Sequence, residues 1–203
     1  DKTKYFRSAQ AEYLKLSSYR KFPGSAETAQ MLADKDLYNT PRCAYLLERL
    51  ENHAHPKEPI RAANYTIEHV MPQSLTAEWK TALGQDAEEV HARFLHTLGN
   101  LTLTGYNSEL SCKPFKDKLE KDEGGFLSSP LALNRFIRKQ SEWGRAQIEA
   151  RAAELAQVVL QVWPEPDATT LAEFQVEEVP KPESYTLDHY SQLTGSIGEI
   201  YQR

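Results

Sequence analysis

Two short strand patterns, far apart along the chain and followed by a helix start, constrain this sequence most. In the first, over residues 65–69, apolar and polar side chains alternate, and the second is Leu101–Thr104. A helix start is predicted at Asn107 or Ser108, after a turn at residues 105–106. This order predicts a small β-hairpin with a helix laid over it. The excursion between the strands is too long for a plain loop, so we expect it to fold as a helical flap.

Polar side chains suited to metal chemistry lie in this stretch. Glu68 places a carboxylate beside the His69 imidazole, and Asn100 and Asn107 each supply a carboxamide. Magnesium prefers oxygen ligands, and a neutral His can take a proton from an attacking water. A regular strand would point Glu68 and His69 to opposite faces, so a shared site requires the strand to end or twist there, as Pro72 permits. The pattern favours a site for one hard divalent cation and one activated water.

Each of these residues also has an ordinary structural explanation. Glu68 and His69 fit a surface carboxylate beside a half-buried ring, Asn107 fits a simple N-cap, and Asn100 fits a turn residue after a glycine. His91 and His96 are five residues apart and do not share a helix face, which disfavours a metalloprotease. We interpret His96 as a packing residue.

Charge limits how the chain can bind nucleic acid. The formal net charge is −5, so nucleic acid would have to be bound by a local basic surface. Lys113 is the best candidate for a phosphate contact, because it follows the predicted site directly. We interpret the mixed-charge face that follows, with Lys116, Lys118 and Lys121, as solvated.

Several other classes of protein are disfavoured. Cys43 and Cys112 form no Cys-x-x-Cys pair, which argues against a zinc ribbon or a disulfide scaffold, and Cys43 lies on the apolar face of a predicted helix. The sequence shows no signal peptide, no membrane span and no phosphate-binding loop of the Gly-x-x-x-x-Gly-Lys type. Nucleotide hydrolysis by this chain is therefore not expected.

The rest of the chain is predicted to be helical, giving a mainly helical α+β fold with a small ββα core. We expect a helical part over residues 1–60, the core over 61–122, packing helices over 123–166, and an acidic linker with a truncated tail over 167–203. Within the third part, Ser129 and Pro130 predict the start of a helix.

The order of these motifs resembles the HNH, or ββα-metal, nucleases. It is more closely similar to the C-terminal nuclease domain of the GmrSD-type modification-dependent restriction enzymes. The similarity spans about residues 46–164 and is carried by residues 68–73, 98–104, 111–115, 133–135 and 163–164, together with Asn107, Trp143, Ile148 and Arg151. One departure is Cys112, where the family usually has Asn.

The resemblance implies a role for each site residue. His69 would be the general base of a metal-dependent DNA endonuclease. Glu68 and Asn107 would hold Mg²⁺ or Mn²⁺, Asn100 would brace the loop that carries His69, and Lys113 would hold substrate.

The resemblance also implies a setting, the cytoplasm of a bacterium. The substrate would be modified phage DNA, and the enzyme a type IV-like restriction system. A nucleotide-hydrolysing sensor domain or subunit would lie outside these residues, with no membrane partner. Two alternatives stay open. The acidic balance and Cys112 allow a catalytically decayed nucleic-acid-binding or interaction module, and an RNase can use the same metal fold.

Overall fold

The computed structural model describes residues 2–174, which fall into two compact units. One unit comprises residues 2–21 and 166–174, and the other comprises residues 22–165. In the first unit, helix α1 (Lys2–Lys15) packs against the short helix α9 (Thr170–Glu173). The rest of the predicted tail, from residue 175 onward, lies outside the described residues. No helix within residues 2–174 has both the length and the apolar character needed to cross a membrane.

The second unit carries the predicted core and is mainly helical. Its elements, in chain order, are α2 (Ser25–Asp34), α3 (Cys43–Ala54), β1 (Thr66–His69), α4 (Ala77–Leu83), α5 (Ala87–Phe94), β2 (Leu101–Thr104), α6 (Asn107–Leu110), α7 (Phe115–Glu120) and α8 (Arg145–Val162). The mainly helical α+β class is confirmed, and so is the small ββα core.

The two strands form an antiparallel hairpin in which Glu68 lies opposite Thr102 and His69 lies opposite Leu101. All four residues of β2 are buried, whereas β1 becomes buried only at its second half. Helix α6 follows β2 after a short turn. The predicted order of strand, helical flap, strand and helix is therefore confirmed.

A buried tryptophan of the flap bonds to the segment between α6 and α7. Helix α4 begins after Thr76, whose hydroxyl accepts a hydrogen bond from the Trp79 amide, and it ends at Gly84 with φ +78°. Trp79 is fully buried and donates its indole N–H to the Lys113 carbonyl at 3.0 Å. The flap thus contributes part of the core as well as connecting the strands.

The segment after Ser129 does not form the predicted helix. Only two 3₁₀ turns are found there, Ala132–Asn134 and Ile137–Lys139. The buried Glu51 carboxylate accepts hydrogen bonds from the Ala132 and Leu133 amides at 2.9 and 2.8 Å. A side chain from α3 thus bonds backbone groups at the first of these turns, and the local helix pattern does not extend.

Two hydrophobic clusters lie around the hairpin. The first contains residues of the loop after β1, of the flap and of α7, with Val70, Met71, Trp79, Phe94, Phe115 and Trp143 as its main members. The second joins α3, β2 and α8 through Leu47, Leu50, Leu101, Leu103 and Leu155. Cys43 belongs to the second cluster at 2% exposure, so its prediction as a core residue is confirmed.

Helix α8 approaches the turn before β2 so closely that only glycine fits. A Cβ atom on Gly99 would lie 2.2 Å from the Ile148 carbonyl oxygen, which is a backbone atom of α8. From the same helix, Arg151 donates to the carbonyls of Leu98, Gly99 and Leu101 at 3.2, 2.8 and 2.8 Å. The start of β2 is therefore held against α8 by both shape and hydrogen bonds.

We predict that Gly99→Ala destabilises the fold by about 1–3 kcal/mol or more, because the added methyl must displace backbone of α8. The free energy of unfolding in urea measures this effect. Gly105→Ala is the matched control, since nothing lies within 4 Å of a Cβ at that position. Equal losses of stability in the two variants would contradict the close packing of Gly99.

Candidate active site

Three of the predicted site residues line one cavity. Glu68, His69 and Asn107 border a space of about 340 Å³. The other lining residues are Tyr38, Ile67, Pro72, Gln73, Ser74, Ser108, Ser111 and Cys112. The lining is rich in oxygen-bearing side chains. The hairpin and the start of α6 thus bring together residues that are distant in sequence.

Glu68 and His69 share this cavity although they are neighbours on one strand. Strand β1 ends at His69, and the next amide, of Val70, donates to the Asn100 carbonyl at 3.0 Å. This bond continues the register of the hairpin by one residue, so Glu68 and His69 both lie within the paired strand and nevertheless border the same cavity. Both are buried, at 3% and 4% exposure, and both line the cavity.

Glu68 is paired with a lysine that the sequence analysis placed in solvent. Lys118 is fully buried, and its ammonium donates to Glu68 Oε1 at 2.6 Å and to the His69 carbonyl at 2.8 Å. The interpretation of Lys118 as part of a solvated face is therefore wrong. Helix α7 turns Phe115, Lys118 and Leu119 to the interior at helical spacing. One cation thus holds two consecutive residues of the site.

Burial and pairing act in opposite directions on this ion pair. Burial raises the pKa of Glu68, whereas the Lys118 charge and hydrogen bond lower it. Burial likewise lowers the pKa of Lys118, and Glu68 opposes that shift. The mutual attraction stabilises the charged forms of both groups. Glu68 accepts this hydrogen bond through Oε1, and Oε2 is the second oxygen through which it could bind a cation.

His69 lies in a cluster of three rings. Its Nε2 is 3.1 Å from Nδ1 of His96, and its ring meets the Tyr38 ring edge-on with centroids 4.5 Å apart. Burial, with smaller contributions from the nearby His96, Lys118 and His91, lowers the pKa of His69 to about 4. The imidazole is therefore neutral at pH 7 and keeps a lone pair that can accept a proton.

Asn100 is completely buried and holds the loop that follows His69. Its Oδ1 accepts from the Met71 amide at 2.7 Å, and its Nδ2 donates to the Met71 carbonyl at 2.9 Å. Its Oδ1 also accepts from the Trp143 indole, and its Nδ2 donates to the Leu95 carbonyl. With all of its polar groups used in this way, Asn100 fixes the loop backbone and does not line the cavity.

The remaining predicted residues, Asn107 and Lys113, lie at the start of α6 and just after its end. Asn107 is the first residue of α6, is exposed, and lines the cavity together with Ser108. Lys113 is exposed and lies outside the cavity lining, although its carbonyl is bonded to Trp79. Cys112 is exposed and lines the cavity, next to Ser111, whose φ is +42°.

The sequence analysis missed two contributors, Lys118 and His96. The spacing of Lys118 from Phe115 and Leu119 was a usable signal, since these positions lie on one helix face. No local signal marks His96 as a partner of His69, because the flap brings them together from positions 27 residues apart. Only the tertiary structure shows that contact.

Among residues 2–174, no three His, Cys, Asp or Glu side chains are grouped so that they could hold a metal ion. Glu68 and Asn107 form a different kind of donor set, one carboxylate and one carboxamide. Hard cations such as Mg²⁺ accept this kind of donor set, because they keep several waters as ligands.

Comparison with known protein families gave one match. The family model described as GmrSD restriction endonucleases, C-terminal domain, matches residues 22–158. This range begins before the similarity expected from the motifs and includes helices α2 and α3. No curated protein and no solved structure matches the chain.

We predict that Lys118→Met destabilises the protein by about 3–5 kcal/mol at pH 7, because it leaves the buried Glu68 carboxylate without its partner. Lys116→Met, an exposed position on the same helix, is the control and should change stability by less than about 0.5 kcal/mol. Urea unfolding of both variants makes the comparison. Adding Glu68→Gln to Lys118→Met should restore part of the loss, and equal stability of the two lysine variants would refute the buried pair.

We also predict that His69 makes the metal-free protein less stable in mild acid. The ring takes up its proton near pH 4 when folded, against an ordinary value of 6.5, so the unfolded chain binds more protons between these pH values. The free energy of unfolding should therefore fall by about 2 kcal/mol from pH 7 to pH 5 through this residue alone. Urea unfolding of wild type and His69→Gln across this pH range measures the contribution of His69 to the free energy of unfolding. Parallel pH profiles of the two proteins would show that His69 makes no such contribution.

Proposed function

The chain belongs to the family of C-terminal domains of GmrSD restriction endonucleases, and we propose that it hydrolyses phosphodiester bonds in DNA by metal-dependent, HNH-type chemistry. The family establishes a nuclease module of a restriction endonuclease. The observation that carries the finer proposal is the convergence of Glu68, His69 and Asn107 on one cavity.

The donor set of this cavity fits a hard divalent cation. Glu68 keeps one carboxylate oxygen beyond its bond to Lys118, and Asn107 adds a carboxamide oxygen. The hydroxyls and the amide of Ser74, Ser108 and Gln73 line the same space and suit a hydrated ion. Mg²⁺ or Mn²⁺ bound there would neutralise charge on the phosphate and stabilise the leaving 3′-oxygen.

His69 supplies the base in this proposal. Its ring is neutral at pH 7, so it can take a proton from a water directed at phosphorus. The hydrogen bond from Lys118 to its carbonyl and the bonds of Asn100 to Met71 restrict the backbone that directly follows the ring. Such restriction keeps a base within reach of the reacting water. The products would be a 5′-phosphate and a 3′-hydroxyl.

Substrate contacts and biological setting extend the proposal. Lys113 is exposed beyond the end of α6 and would contact a backbone phosphate. The substrate would be modified phage DNA, as in a type IV-like restriction system of bacteria. Recognition of the modification would be the task of a nucleotide-hydrolysing sensor domain or subunit that is not among these residues.

We predict that His69→Ala lowers the rate of Mg²⁺-dependent plasmid cleavage by about 10²–10⁴-fold, the usual cost of losing a general base. The assay follows conversion of supercoiled DNA, with and without EDTA, for wild type and variant. His53→Ala is the control, because His53 is exposed and bonded to Gln161 away from the cavity.

Cleavage assays with DNA and RNA, together with a metal titration, separate the alternative functions. Unchanged cleavage by His69→Ala would refute His69 as the base. Cleavage of RNA in preference to DNA would make the protein an RNase, and absence of both cleavage and Mn²⁺ binding in wild type would indicate a decayed site. Weaker Mn²⁺ binding in Glu68→Gln and Asn107→Ala, measured by calorimetry, would support the two metal ligands.

A further inference from the structure

The contact between His69 and His96 determines which nitrogen of His69 is free. A neutral imidazole carries its single proton on either Nδ1 or Nε2, so one nitrogen donates and the other accepts. Nε2 of His69 is engaged with Nδ1 of His96 at 3.1 Å. Only one of the two nitrogens in that contact can hold the shared proton. If His96 donates it, the proton of His69 is on Nδ1 and no lone pair is left for water.

Resting on the proposed role of His69 as the base, we propose that His96 is its positioning residue. His96 accepts the Nε2–H of His69 on its own Nδ1, and this selects the form of His69 whose Nδ1 lone pair is free to take a proton. His96 acts through His69 and does not touch the reacting atoms. The sequence had indicated only a packing role for His96.

The surroundings of His96 hold its ring in the orientation that this role needs. The His96 ring stacks on the Tyr38 ring with an interplanar angle of 10° and a centroid distance of 5.2 Å. The His96 carbonyl accepts hydrogen bonds from the Leu37 and Tyr38 amides at 2.9 and 3.4 Å. Tyr38 also packs edge-on against His69. Backbone and ring contacts therefore fix His96 on the side of His69 that bears Nε2.

The hydrogen bond would strengthen as the reaction proceeds. When His69 takes a proton on Nδ1 it becomes an imidazolium, and its Nε2–H is then a charged donor to His96. Charge-assisted hydrogen bonds are roughly twice as strong as neutral ones. An interaction that is stronger after proton transfer than before it favours the transition state over the ground state.

Two variants of His96 distinguish positioning from packing. His96→Asn places a carboxamide oxygen where Nδ1 was, which keeps the acceptor and loses the ring. His96→Phe keeps a ring that can stack on Tyr38 and loses the acceptor. We expect His96→Phe to lower kcat for plasmid cleavage by about 10–100-fold with little change in KM, and His96→Asn to retain activity within a few-fold of wild type. A packing role predicts the reverse order.

The tautomer can be read without any nuclease activity. Long-range proton–nitrogen correlation spectra of ¹⁵N-histidine-labelled protein, recorded at pH 7 without metal, report which nitrogen of His69 carries the proton. We expect Nε2–H in the wild type, a mixture of both forms in His96→Phe, and Nε2–H again in His96→Asn.

Failure of this inference can be told from failure of the proposed function. A wild-type protein that does not cleave DNA would remove the nuclease proposal, while the spectra would still decide the role of His96. A proton on Nδ1 of wild-type His69 would overturn the positioning role even if no variant folded. Full cleavage by His96→Phe together with loss in His96→Asn would overturn it as well.

Discussion

The β1–β2 hairpin depends on the hydrogen bonds of one buried group, the guanidinium of Arg151. It lies on α8 with no exposure to solvent, and it donates to the carbonyls of Leu98, Gly99, Leu101 and Leu133. Burial lowers its pKa to about 9, so it remains charged at pH 7. A buried charge needs hydrogen-bond partners, and these carbonyls supply them to Nη1 and Nη2, whereas the buried Nε has none among the described residues. The turn before β2 is consequently tied to the longest helix of the second unit.

Asn100 connects the turn that Arg151 holds to the candidate site. The turn that Arg151 holds presents the Asn100 carboxamide to both backbone groups of Met71, two residues beyond His69. On the other side, Lys118 on α7 bonds the Glu68 side chain and the His69 carbonyl. Two buried side chains, Asn100 and Lys118, thus bond to the chain between Glu68 and Met71.

The electrostatics of the cavity follow from the same arrangement. The charge of Glu68 is balanced by Lys118, and His69 is kept neutral mainly by burial, because burial is the largest cause of its lowered pKa. A site of this kind has little net charge of its own. The cation that we propose for this site would therefore keep water ligands and bring a phosphate with it, and would not be held by a cage of carboxylates.

The sequence by itself determined the order of strand, flap, strand and helix, and it singled out Glu68, His69, Asn100 and Asn107. It did so because strand alternation, glycine stops and cap residues are local signals that act over a few positions. Only the tertiary structure decided that Lys118 is buried, that the segment after Ser129 forms two 3₁₀ turns and that His96 contacts His69. Each of these depends on a partner far away in sequence, namely Glu68, Glu51 and His69. Local propensity carries no information about such partners, because burial and hydrogen bonding across the core set the outcome.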